Sequence, residues 1–548
     1  MRLVPSDNLL TPASGNGTPS KQDVPAHERR PILDILPPLL LCIIVFLACM
    51  LPSDDGDVYW HIRTGQWIWE HKSLPVADPF SYTVSAYNPF RPDSTRIPFI
   101  LHQYWLAQLL LFGIWNLAGL AGIIIFKAIA ISSIIAFIYW WMRTGSKGLQ
   151  PLVYAFLAAV LLIRFPTDRP QIFTYAFFPL LLYLLDDIRR RGRPSTAHTV
   201  ILPVMMLLWA NMHGGFILGT LTIFLYIVAF LARKSSGGYP WKSISILVLS
   251  VIASFVNPNG IDAFLQVLYH DPNYKQIVTE NASPLKIALN LDPHFKFDSV
   301  LRLFPAYWVS LAAIIVLLVR KFKNLPPATI LVVAFIILLS LSGIRYMVFL
   351  PLTFPLLIST SDAPPRLASW VAAAVMLAGL TISINWNIRF DFAAGPFFPE
   401  KAVAFIRTMK PASNIFNYYD WGGYMTLYLP ERKVFVDGRG LVEEIVDLHH
   451  MALYSGQWDF VFSRYNINTV IVPGASLADS ERTRLPLELL TDSRWFLVYV
   501  DDIAMVFVKN VPQNYPIIAQ HALDKKLVHT NYELLTKKLS SLSTSIRW

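Results

Sequence analysis

Apolar residues fall in long runs separated by short polar turns over the first two-thirds of this chain. The runs lie at residues 32–51, 101–142, 152–163, 172–185, 200–212, 216–231, 244–256, 305–319, 329–342, 347–358 and 368–384. Their lengths suit helices that cross or nearly cross a bilayer. Basic residues mark alternate turns: Arg29 and Arg30, Arg143 and Lys147, Arg189 to Arg193, Arg233 and Lys234, Arg320 to Lys323. Such clusters favour the cytoplasmic side, so the N-terminus is expected inside and residues 52–100 outside. Parity then divides the long run at 101–142. Residues 102–116, diluted by His102, Gln103 and Gln108, are expected to lie at the interface or re-enter, and 120–141 to cross. The pattern predicts about eleven spans.

Beyond residue 385 the pattern changes. Residues 400–409 have the period of an amphipathic helix, while 414–418, 434–436, 469–472, 495–500 and 505–508 read as strands. The expected organisation is a disordered cytoplasmic tail at 1–31, a membrane module at 32–385 with outer loops at 52–100 and 257–302, an extracytoplasmic α/β domain at 386–510, and a polar, partly helical tail at 511–548.

Composition agrees with this reading. The 548 residues are 54% hydrophobic and only 15% charged, with mean hydropathy +0.45. The net charge of +10 resides mainly in inner turns, where it sets topology, and gives no reason to expect nucleic acid. The two cysteines, Cys42 and Cys49, sit two turns apart on one helix, too far along its axis to bridge.

The first outer loop is the densest chemistry in the chain. Directly after the first apolar run come Asp54, Asp55, Asp57, Trp60 and His61. Carboxylates at a helix end near a membrane are costly to desolvate unless they are used. Asp55 or Asp57 fits a general base for an acceptor hydroxyl, and the two together fit oxygen ligands of a divalent cation. The plainer alternative is that they cap the next helix, with His61 bonding a backbone group. Other outer turns carry Asp168 and Arg169, Asn211 and His213, Asn257 and Asn259, and Arg345. Arg169 or Arg345 suits a phosphate, through paired charged hydrogen bonds. In the C-terminal region Tyr419, Asp420, Trp421, Asp437 and Arg439 suit sugar recognition, against the alternative of a strand-turn core held by Gly422, Gly423 and Gly438, in which Asp437 and Arg439 simply pair with each other.

Several stretches together resemble a bacterial family of polytopic glycosyltransferases similar to the GT-C superfamily, which includes protein O-mannosyltransferases and aminoarabinose transferases. They are Asp55-Gly56-Asp57-Val58-Tyr59-Trp60-His61, Asp78-Pro79-Phe80-Ser81-Tyr82-Thr83, Arg169-Pro170-Gln171, Trp209 to Gly215, Asn257 to Gly260, Asp420 to Tyr424, and Val436 to Arg439. The resemblance implies a GT-C-type polytopic α-helical membrane protein of a bacterial inner membrane. It implies transfer of a sugar from a polyprenyl-phosphate donor to an extracytoplasmic glycan, lipid or protein. GT-C enzymes carry an acidic residue in the first outer loop, here Asp54, Asp55 or Asp57. Asp55 begins the matching unit, but Gly56 stands where the family usually has proline, which leaves Asp57 open. The implied assignment has Asp55, Asp57 and His61 in catalysis, His102, Arg169, Asn211, His213 and Arg345 around the donor phosphate, and Trp60, Asp420 and Trp421 toward sugar or acceptor. Any divalent cation would sit on Asp55 and Asp57.

Two other classes compete. An envelope polysaccharide polymerase or ligase would concentrate its chemistry in a later loop. A transporter of lipid or oligosaccharide would carry charges at mid-bilayer, for which Lys127 in the 120–141 span is the main candidate.

Overall fold

The structure, a computed structural model, describes residues 31–85, 96–146, 149–165, 168–232, 241–268, 279–289, 291, 304–358, 395–474 and 484–529. The run at 368–384, residues 269–278, 290 and 292–302 of the loop at 257–302, residues 1–30 and residues 530–548 lie outside these.

A helical bundle fills the first part of the chain. Its main elements are α1 (Pro31–Ala48), α2 (Asp57–His71), α3 (Trp105–Gly145), α4 (Gln150–Arg164), α5 (Gln171–Arg191), α6 (Thr196–Met212), α7 (Phe216–Ala232), α8 (Trp241–Ala253), α9 (Pro305–Lys321) and α10 (Pro327–Ser342). Three segments, Trp105–Gly145, Gln171–Arg191 and Pro305–Asn324, are long and apolar enough to cross a membrane. Apolar side chains such as Phe224 on α7, Leu249 on α8 and Val319 on α9 face outward, as in a bundle meant to be wrapped by lipid.

The division expected within 101–142 is visible as a break in α3. Ala118 and Gly119 leave helical geometry, and Gly119 adopts φ 59°, a left-handed value that glycine takes without Cβ strain. The polar half, beginning at Trp105, therefore runs in a different direction from the apolar half. Arginines 189–191 end α5, where cations meet the negative end of the helix dipole, and Gly192 closes it at φ 69°. The run at 347–358 departs from the expected regular span: residues 344–353 are 3-10 turns, followed by a short helix at Phe354–Ile358.

Residues 395–529 contain a four-stranded sheet of β1 (Ile415–Asn417), β2 (Thr469–Pro473), β3 (Trp495–Val500) and β4 (Ala504–Lys509), in the order β1-β2-β4-β3. The β1–β2 pair is parallel; the other two pairs are antiparallel. Asp501 shapes the β3–β4 turn by accepting the Ile503 and Ala504 amides. The stretch 434–436 is not a strand of this sheet. Val434 makes one isolated parallel bridge, to Ser81 of the first loop, and the Asn417 side chain accepts the Phe435 amide instead. Packing also continues past residue 510, for Ile517 of the helix Tyr515–His521 is buried in the same core.

One element joins the two parts. Val58, Tyr59 and Ile62 of α2 are fully buried in a core shared with Leu111 and Ile123 of α3, with Phe398, Trp421 and Tyr424, and with Ile471 and Val506 of the sheet. Each such side chain contributes roughly 1.5–3 kcal/mol of burial. The helix opening at Asp57 is therefore fixed from both sides.

Candidate functional site

At the start of α2, Asp55 turns back on the helix. Its Oδ1 accepts the Asp57 amide at 3.0 Å, a local side-chain turn that leads into the helix; the N-cap position itself is Gly56, with no side-chain cap. Asp55 Oδ2 faces elsewhere, 2.8 Å from Nε of Arg169. Asp57 divides its oxygens the same way: Oδ1 accepts the Trp60 indole at 3.0 Å, and Oδ2 meets Nη1 of Arg169.

Arg169 stands in the turn before α5 and gathers a third carboxylate. Its Nη2 donates to Glu280 Oε1 at 2.9 Å, while Glu280 Oε2 lies 3.7 Å from Nη2 of Arg345. Every nitrogen of the Arg169 guanidinium faces a different acid, a use of the rigid fork that lysine cannot reproduce. The adjacent Asp168 forms a buried pair with Lys127 at 2.7 Å, which pins the turn that carries Arg169. Lys127 is therefore a paired structural charge, and the mid-bilayer sign of a transport pathway is lost. Arg345 is the less committed cation: it keeps 30% side-chain exposure, and its Nε has no hydrogen-bond partner.

Burial and charge set the protonation of the pair. The Asp55 carboxyl, 16% exposed, is pushed up to about 7 by burial, against the pull of Arg169 and with a further push from Asp57. Asp57 is also raised, by burial, while Arg169 and the Trp60 indole hold it down. A carboxylate near pH 7 is a serviceable general base.

The remaining expected residues divide into two groups. His213 belongs near the cluster, within electrostatic reach of Arg169 and Arg345, and with burial they lower its pKa to about 3. The Gly215 amide donates to its Nδ1 at 2.9 Å. The Thr174 hydroxyl, which itself accepts the Trp209 indole, lies 2.8 Å from the same nitrogen. Nδ1 therefore accepts, and the proton of the neutral ring sits on Nε2.

The other residues serve the scaffold. His61 is 3% exposed, meets Gln108 at 3.2 Å and lies beneath the Trp60 ring at 3.5 Å between centroids; it supports Trp60 and has no contact with Asp55. His102 bonds the Pro75 carbonyl at 3.0 Å. Asn211 takes the Trp105 indole at 2.8 Å and bonds the Leu207 and Val256 carbonyls, tying helix ends together. Trp421, 2% exposed, donates to the Phe397 carbonyl and offers no free face for a sugar. Asp420 is exposed, and Asp54 lies beside Gly395. Asp437 and Arg439 pair with each other, and Asp78 completes a buried triad: Arg439 Nη1 reaches Asp78 at 2.8 Å and Nη2 reaches Asp437 at 2.5 Å.

Glu280 is the one member of the cluster that the sequence reading missed. It lies in a polar loop 111 residues from Arg169, with no apolar period to mark it.

A divalent cation on Asp55 and Asp57 does not fit this arrangement. Four of the six oxygens of Asp55, Asp57 and Glu280 accept hydrogen bonds within the protein, and the Arg169 guanidinium lies against all three carboxylates. Among the described residues no set of three His, Cys, Asp or Glu side chains is arranged to hold a metal ion.

No family model matches the chain, and no curated protein matches it. Solved structures similar to it include two archaeal ones. The oligosaccharyltransferase of Archaeoglobus fulgidus in its apo form superposes with a TM-score of 0.51 at 12% identity, covering 80% of this chain and 69% of that one. The archaeal oligosaccharyltransferase AglB of the same organism, in complex with an inhibitory peptide and a dolichol-phosphate, gives a TM-score of 0.50 at 12% identity, covering 88% and 76%. At this identity the likeness is one of fold: the chain shares the architecture of a membrane oligosaccharyltransferase.

Proposed function

We propose that the protein is a membrane glycosyltransferase that moves a sugar from a polyprenyl-phosphate donor to an extracytoplasmic acceptor, with Asp55 as general base. The observation that carries the reading is the placement of Asp55. It is fixed through one oxygen by the Asp57 amide, raised to about 7 by burial, and set on a fold shared with oligosaccharyltransferases, one of which is described with a dolichol-phosphate.

In this reading the acceptor hydroxyl gives its proton to the Asp55 carboxylate as its oxygen attacks the anomeric carbon. The bond from that carbon to the phosphate oxygen breaks, and the lipid phosphate leaves with the electron pair. One displacement inverts the configuration. Arg345 meets the charge on the leaving phosphate, where a preorganised cation acts most strongly, and the Nε2 proton of His213 adds a neutral donor. Asp57 and Arg169 orient Asp55. The cluster faces the extracytoplasmic side of a bacterial inner membrane, with the N-terminus in the cytoplasm. The spacing of Lys127 and Asp168 speaks against a transporter, and the location of the acids in the first loop against a polysaccharide polymerase.

The test is transfer of a labelled sugar from polyprenyl phosphate by membranes containing the protein. Asp55→Asn should lower the rate by ~10²–10⁴-fold, the usual loss of a general base, with protein levels unchanged. Undiminished transfer by that variant would refute the role of Asp55, and no transfer by the unaltered protein from any polyprenyl-phosphate sugar would refute the reaction.

A further inference from the structure

We infer that Arg169 is the built-in cation of this site: its guanidinium bridges Asp55, Asp57 and Glu280 in the position a divalent metal ion would otherwise take, and the cluster binds none. The inference rests on the geometry of the cluster and is independent of sugar transfer.

Three observations carry it. The first is saturation. Asp55 Oδ1 holds the Asp57 amide and Asp57 Oδ1 holds the Trp60 indole. The oxygens left over, with Glu280 Oε1, all converge on Arg169, and Glu280 Oε2 faces Arg345. A hard cation needs six or more oxygens; four of the six carboxylate oxygens here are hydrogen-bonded within the protein, and the other two, Asp55 Oδ2 and Glu280 Oε2, face a guanidinium at ion-pair distance.

The second is charge. Three acids brought together in a half-buried site repel one another unless a cation lies between them. Arg169 supplies that charge permanently, because a guanidinium does not lose its proton in proteins. The third is anchorage. Arg169 cannot be pushed aside cheaply by an incoming ion. Its neighbour Asp168 is locked to Lys127 at 2.7 Å with both side chains buried, and Pro170 with φ −51° starts α5 immediately after it. Displacing the guanidinium would leave a mostly buried charge without partners.

The consequence is a division of labour between two arginines. Arg169 is spent on the carboxylates as a positioning residue, and Arg345 alone remains for an anionic ligand.

The experiment is a Mn²⁺ titration of the full chain in detergent, followed by electron paramagnetic resonance of free and bound Mn²⁺. Up to free Mn²⁺ on the order of 1 mM, the range of weak oxygen-ligand sites, the unaltered protein and Asp55→Asn should show the same binding. Arg169→Ala frees the three acids and should gain a Mn²⁺ ion that Arg169→Ala combined with Asp55→Asn loses again. A bound Mn²⁺ in the unaltered protein that disappears in Asp55→Asn would overturn the inference. So would a folded Arg169→Ala protein without the gained ion, since the acids would then not share one cation position. Should Arg169→Ala fail to elute as a folded monodisperse species, Arg169→Gln replaces it, and the comparison of unaltered protein with Asp55→Asn still decides the matter.

Discussion

Asp55 and Asp57 sit one residue apart, yet their surroundings give them different work. Asp57 is held at both oxygens by the Trp60 indole and Arg169, which makes it an orienting group. Asp55 also faces Arg169 with one oxygen and an amide with the other, but that Arg169-facing oxygen forms no hydrogen bond, and burial raises its carboxyl to about 7. A similar argument fixes His213. An amide N–H always donates, so the Gly215 amide leaves no room for a proton on Nδ1. Burial and the two arginines depress its pKa to about 3, so the ring stays neutral throughout the physiological range. Nitrogen-15 spectra of the imidazole should show the Nε2–H tautomer, unchanged from pH 5 to pH 8; an imidazolium signal appearing near pH 6 would contradict this. Acidic residues behind an apolar run were legible in the sequence because desolvation there is costly. Glu280 was not, since a lone acid in a polar loop has no such mark, and the pairing of Lys127 with Asp168 was not, because only folding brings the two together.

At the level of elements, α2 is the keystone because it shares a core with α3 on one side and with the sheet layer on the other. Contact with the sheet layer depends on backbone approaching backbone. A Cβ on Gly423 would stand 2.4 Å from the Gly56 carbonyl oxygen, and one on Gly438 would stand 2.2 Å from Asp57 Oδ1. Gly423→Ala meets fixed backbone and should cost about 1–3 kcal/mol, the scale of overpacking. It should be seen as a lower thermal unfolding midpoint in detergent, and an unchanged midpoint would mean that the contact yields freely. Here the sequence was a good guide wherever local period decides. The helix at Glu400–Met409 and the strand at Trp495–Val500 fall at the expected residues, because alternating or helical apolar spacing needs no distant partner to be read. The stretch 434–436 has the same β-branched composition, but its neighbours are Ser81 and the Asn417 side chain, which a local pattern does not reveal.

Across the whole molecule, buried charge ties the first loop to the C-terminal layer. The Asp78–Arg439–Asp437 triad is almost wholly enclosed, with side-chain exposures of 0%, 1% and 3%, and it joins residues 361 apart in sequence. Together with α2 it holds the Asp55 turn against a sheet that follows it by several hundred residues. The archaeal oligosaccharyltransferase likeness extends over both parts, so the fold places this junction within one architecture. The central claim is that Asp55, in its raised state, accepts a proton during sugar transfer. Its direct test is the pH dependence of the initial rate at limiting donor. The base acts when deprotonated, so the rate should rise with pH and level off with a midpoint near 7; a rate already level above pH 5, as an ordinary carboxylate would give, contradicts the account.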